Sequence, residues 1–157
     1  MIFSYNGDTW GIIPGKTRST HAFGRIANFD EQPMIVGGSE SGNTVTEGLS
    51  SLGIWEQDSQ WPFSNRIYNY ATISRNFDGY YPNNYVLILG GQTGELNENA
   101  QSDRIVKFMD GLSKWSIVGH LQQRRHSHSA IDVGDNQILV VGGTDLRLLS
   151  THKTLFK

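Results

Sequence analysis

Three short runs of consecutive apolar residues mark the chain, and each runs straight into a pair of glycines: "PMIVGG" closes on Gly37 and Gly38, "YVLILGG" on Gly90 and Gly91, and "QILVVGG" on Gly142 and Gly143. Neighbouring side chains on a strand point to opposite sides, so unbroken apolar runs predict strands covered on both faces. Glycine is disfavoured inside a strand, and a pair at its end predicts a sharp backbone turn with no room for a Cβ and with positive φ at one of the two. Ahead of each run, alternation of apolar and polar residues predicts a first strand at about 20–26, 68–74 and 127–132. The intervening "NFDEQ", "NFDGYYPNN" and "VGDN" hold the Asn, Asp and Gly that accept turn dihedrals. Beyond the glycines a longer polar loop leads to a predicted third strand, "SLGIW", "RIVKF" or "HKTLF", and a fourth opens at a tryptophan, as in "KWSIV". No stretch sustains the i, i+3, i+4, i+7 spacing of an amphipathic helix.

The glycine pairs recur at intervals of about 50 residues, and other landmarks keep step with them. Trp10, Trp61 and Trp115 recur, each with an aromatic ahead of it (Tyr5, Trp55, Phe108), and so do Arg18, Arg66 and Arg125. A unit of four short strands with a glycine doublet and a tryptophan resembles the kelch repeat, and the resemblance extends from Tyr5 to Phe156. It implies an all-β fold, a kelch-type β-propeller sector of about three four-stranded antiparallel blades. The chain then reads as one partial propeller domain, 1–157, with units at about 11–61, 62–115 and 116–157 and with residues 1–10 ending a preceding blade. Propellers close with about four to eight blades. The resemblance therefore implies further blades, from the rest of a longer chain or from a second copy, and apolar Val, Ile and Leu exposed on the terminal sheets. Both ends read as third strands, so head-to-tail pairing of two copies would bring two third strands to each junction. That redundancy favours a piece of a longer propeller.

Composition narrows the partners. The 157 residues are 37% hydrophobic and 18% charged, which suits a globular domain, and the net charge of −2 gives no electrostatic reason to expect nucleic acid or an anionic membrane. No run approaches the ~18 apolar residues of a membrane span. The chain has no cysteine, which excludes disulfides and thiolate chemistry and leaves the compartment open. The cysteine-linked tyrosine of the copper oxidase propellers, which the resemblance would otherwise bring to mind, is excluded with it.

The candidate chemistry is thin. In "RRHSH", strand alternation would put His126 and His128 on one face, within reach of one metal ion if His120 or His21 supplied a third ligand. The resemblance instead makes His21, Asn69 and His128 one polar packing position per unit, and no metal, cofactor or catalytic set is expected. Arg18, Arg66 and Arg125 either ring a pocket for carboxylates or tie each unit to its neighbour, and their recurrence favours the second role. The tryptophans read as blade packing. In kelch propellers the loop after strand two and the segment leading into strand one emerge on the same side. The resemblance therefore gathers loops 39–49 and 92–103 with the segments before Arg18, Arg66 and Arg125 on one rim, bringing Glu40, Glu47, Glu95, Glu98 and Asp103 near Lys16, Arg18, Arg66, Arg124 and Arg125. Tyr80 and Tyr81, in a turn, are candidate surface anchors. Mixed charge with tyrosines suits a polypeptide better than a polyanion. The expected function is a non-catalytic module for protein–protein interaction or assembly. The alternatives are a kelch-type enzyme acting on a carbohydrate or small molecule, and a purely structural part of a larger protein.

Overall fold

Every regular element among the described residues is a strand, in keeping with the lack of helical periodicity. A computed structural model describes residues 2–5, 7–13, 15–39, 45–63, 66–75, 84–94, 100–109, 114–145 and 154–156. In chain order the strands are β1 (Ile2–Tyr5), β2 (Trp10–Ile13), β3 (Arg25–Phe29), β4 (Gln32–Val36), β5 (Val45–Leu49), β6 (Trp55–Gln60), β7 (Ile67–Tyr68) and β8 (Ala71–Arg75). They continue as β9 (Tyr85–Leu89), β10 (Gln92–Thr93), β11 (Ala100–Gln101), β12 (Arg104–Met109), β13 (Lys114–His120), β14 (His126–Gly134), β15 (Gln137–Thr144) and β16 (Thr154–Phe156). Two four-stranded antiparallel meanders, β3-β4-β5-β6 and β8-β9-β12-β13, precede a three-stranded one, β14-β15-β16. The hairpin β1-β2 stands ahead of them, and β7, β10 and β11 form a small separate sheet. Two hairpins turn on Asp30-Glu31 and Asp135-Asn136, all four at positive φ, the form whose twist suits adjoining strands.

The leading strands β3, β8 and β14 lie side by side, so the three meanders stack face to face. Residues Ala27, Met34 and Val36 of the first meander pack on Val86, Ile88, Val106 and Phe108 of the second, with Trp61, Ile67 and Tyr70 between them. Leu87, Leu89 and Ile105 point the other way and meet Leu121 and Val140. Thus "YVLIL" is buried on both faces, as its unbroken apolar run predicts. Apolar residues on the terminal sheets are exposed: Ile26 on the first, and Ile131, Val133 and Val141 on the third.

Backbone hydrogen bonds stitch the meanders together at their leading ends. Phe23, Asn69 and Ser127, one per unit, all adopt positive φ. The Asn69 N–H donates to the Phe23 carbonyl at 2.9 Å, and the Ser127 N–H to the Asn69 carbonyl at 2.8 Å. The glycine doublets complete the seam, for the Gly38 N–H donates to the Ile67 carbonyl (2.9 Å) and the Gly91 N–H to the Arg125 carbonyl (2.8 Å). All six doublet glycines have positive φ, where one of each pair was expected. An added Cβ would strike the next unit at Gly37, on Ile67, and at Gly90, 2.7 Å from the Arg125 carbonyl. At Gly142 it would meet nothing within 4 Å.

Several sequence expectations shift in register. "SLGIW" is not a third strand. Ser50 to Ile54 form a turn closed by the Ser50 and Gly53 hydrogen bonds, with Leu52 exposed, and the third strand β5 ends earlier, at Leu49. Trp55, paired with Leu49, therefore occupies the place that Trp10 holds opposite Tyr5 and Trp115 opposite Phe108. Trp61, assigned to that place by counting, follows the fourth strand and is buried in the first core. Trp10 does not pack as expected; it is 71% exposed on its two-stranded hairpin. The first strands begin later than predicted in two units, at Arg25 and Ala71, because the segments before them form the turns of the seam.

The seam generates a stability prediction. Gly90 and Gly142 both lie at positive φ, so alanine strains the backbone at either by about 1–3 kcal/mol, but only at Gly90 does the new Cβ also collide with a neighbouring carbonyl and with His128. Gly90→Ala is expected to lower stability by about 2 kcal/mol more than Gly142→Ala, read as the difference in urea unfolding free energy.

Candidate functional site

Directly after β6 the chain reads Trp-Pro-Phe, and these three residues turn over the edge of the second meander. Trp61 sits edge-to-face with Phe63 (5.2 Å between ring centroids) and with Trp115 (5.0 Å). Trp115 in turn meets Phe108 at 4.9 Å. Between this aromatic turn, the core residues Ile67, Ile88 and Val106 and the segment 100–104 lies a cavity of about 570 Å³, large enough for a small ligand or a few peptide residues. The remaining lining includes Gly90, Thr93 and Arg124. Its mouth carries charge. The Arg104 guanidinium lies over the Phe63 ring, 4.7 Å from its centre, a cation–π arrangement that holds the cation at the cavity wall. Asp103 is paired with His120 at 3.4 Å.

The sequence-nominated residues divide sharply around this cavity. Asp103 and Arg124 line it together. Arg66 and Arg125 instead hold the scaffold: the Arg66 guanidinium donates to the Ser39 carbonyl, and that of Arg125, itself buried, to the Gly142 carbonyl at 3.0 Å. Arg18 has an exposed side chain, and its ordered contact is through the backbone N–H. Tyr80, Tyr81, Glu95, Glu98 and Glu40 lie outside the described residues. Glu47 does not belong to a charged rim, as it is completely buried. Its carboxylate accepts the N–H groups of Arg18 and Ser19, both at 2.7 Å, and contacts His21 Nε2 at 3.2 Å. Burial disfavours the charge on Glu47, but these donors together outweigh it and hold its carboxyl below the ordinary carboxylate range. Arg104, Trp61 and Phe63 were missed as site residues. The signal was present in "WPF", an aromatic pair that a proline keeps out of the strand.

The described histidines do not converge on one point. Left-handed Ser127 breaks the alternation that would align His126 with His128. His126 is tied to Thr144 Oγ1 and Ser127 Oγ, each at 3.0 Å, whereas His128 is buried against Gly90. Among the described residues no three His, Asp or Glu side chains come close enough to hold a metal ion. His21 and Asn69, at the matching positions, are hydrogen-bonded to Gly37 and Gln92 respectively. Neither ring nitrogen of His128 finds a partner of normal geometry among the described residues.

No protein-family model matches the chain, and no curated protein matches it.

His128 makes the fold sensitive to acid. Burial, followed by the nearby charge of Arg125, pushes its pKa down to about 4, with the Leu89 carbonyl only partly opposing. The unfolded chain binds that proton from about pH 6.5 downward and the folded chain does not, so the contribution to stability is complete above pH 6.5 and lost as pH falls toward 4. Between pH 7 and pH 5 the expected loss is about 2 kcal/mol in urea unfolding. His128→Asn, which places there the residue found at position 69, should remove that slope, and the His128 imidazole should titrate near pH 4 by NMR.

Proposed function

We propose that the chain is a sector of a kelch-type β-propeller acting as a non-catalytic protein-interaction module, with a polypeptide held at the cavity beneath Trp61 and Phe63. The observation that carries this reading is the cavity itself, about 570 Å³ in volume, whose lining joins Trp61, Phe63, Ile67, Ile88 and Val106 to Arg104, Arg124 and Asp103. Aromatic and arginine residues side by side suit a protein-binding site, where these residue types dominate the energetics. The propeller part is supported by three stacked meanders joined in the same way and by the repeating glycine seam. The open space at Gly142, where Gly37 and Gly90 meet the following unit, is where a further blade would dock.

Selection of a random peptide library on the chain, with counter-selection on Arg124→Glu, tests the reading. Enriched peptides should bind the parent chain at least about tenfold more tightly than the variant, at unchanged thermal midpoint. Peptides that bind both alike would remove the cavity from the account. Turnover of a sugar that depends on His126 or His128 would move the assignment to an enzyme.

A further inference from the structure

Among the described residues the charges at the cavity do not balance, and the imbalance points to a ligand. Arg124 is exposed, and Arg104 is held over Phe63. Neither guanidinium is paired with a carboxylate among the described residues. Among the described residues the lining holds one acid, Asp103, whose carboxylate lies 3.4 Å from the His120 imidazole. Among the described residues the cavity therefore presents two guanidiniums and one carboxylate beside Trp61, Phe63, Ile67, Ile88 and Val106. Two neutral polar side chains are satisfied: Ser102 Oγ accepts the Arg104 N–H at 3.1 Å, and Thr93 Oγ1 donates to the Ala100 carbonyl at 3.3 Å. The buried Trp61 indole N–H, in contrast, has no hydrogen-bond partner among the described residues. What is left to bind is positive charge, one indole N–H donor and apolar surface.

We propose that this cavity is a carboxylate site that takes a carboxylate flanked by an apolar side chain, as an acidic peptide segment presents them. The planar guanidinium fork matches a carboxylate with two parallel N–H···O bonds. The aromatic and aliphatic floor removes the neighbouring side chain from water, which strengthens the ion pair by lowering the local dielectric. A phosphate dianion fits less well, because Asp103 shares the lining and would repel its second charge. The inference rests on the polypeptide reading above for its source of carboxylate, and a free carboxylic acid shares the same chemistry.

The experiment is an NMR titration of the full chain, followed at the Trp61 indole N–H, with N-acetyl-leucyl-aspartyl amide, its asparaginyl analogue, hexanoate and inorganic phosphate. The aspartyl dipeptide is expected to give a saturable shift and to bind about tenfold more tightly than the asparaginyl one, the difference a lost charged hydrogen bond makes. Arg124→Gln and, separately, Arg104→Gln should each abolish that preference while the thermal midpoint stays in place. Equal binding of the two dipeptides, an unchanged preference in both variants, tighter binding of phosphate than of any carboxylate, or no saturable shift with any probe would overturn the carboxylate site. Equal binding of the dipeptides would leave the polypeptide reading standing. Hexanoate binding as tightly as the aspartyl dipeptide would support the carboxylate site and overturn the polypeptide reading instead.

Discussion

Three residues held at positive φ, Phe23, Asn69 and Ser127, are joined in series by backbone hydrogen bonds that pass from one unit to the next. Sheets stacked face to face share only side-chain contacts, which tolerate sliding, whereas a main-chain hydrogen bond fixes position to a few tenths of an ångström. Non-glycine residues resist this conformation by about 1–2 kcal/mol each, so the surrounding structure has to over-determine it. It does so from the other side of the seam. The doublet glycines bring bare backbone against the leading turn of the following unit, and the Tyr70 hydroxyl, fully buried, donates to the Val36 carbonyl of the preceding unit at 2.5 Å.

Because the seam fixes the leading ends, the space between the first and second meanders is set elsewhere by aromatic volume. Phe29, Phe108, Trp115, Trp61 and Phe63 form a continuous series of ring contacts of 4.9 to 5.2 Å. The series starts in the core and finishes beneath Arg104 at the cavity wall. Trp61 is held edge-to-face on both sides, by Trp115 and Phe63, and Phe63 is covered in turn by Arg104, so the cavity wall is restrained by its own packing. A prearranged wall lowers the ordering cost of binding.

The second strands and the bare glycine pairs were legible in the sequence because both follow from local rules, one about alternation and one about Cβ. Register was harder. The loops between the glycines and the third strand differ in length between the units, so counting at a fixed period put Trp61 where the pairing places Trp55. Leu52 and Ile54 made a turn read as a strand, since apolar residues do appear singly on surfaces. Glu47 was read as a surface acid because nothing local marks its burial. Its partners lie 28 and 29 residues away, and they are backbone N–H groups that no residue code advertises. The cavity was out of reach for the same reason, being assembled from 61–63, Ile67, Ile88, Gly90, Thr93, 100–104, Val106 and Arg124.

Two of the three recurrent arginines serve the scaffold, while the side chain of the third, Arg18, is exposed. Arg66 and Arg125 occupy the repeated position and donate to main-chain carbonyls near the doublets, so their charges are committed to the fold. Arg124, one residue away and without a repeated counterpart, reaches the cavity with Arg104, which likewise follows no repeat. A repeated residue answers to a constraint that every unit shares, which is packing against the next unit. A residue that only one unit carries is free of that constraint, and its side chain is available for other contacts. Ranking the arginines by their recurrence draws attention to the seam, and ranking them by their departure from it draws attention to the cavity.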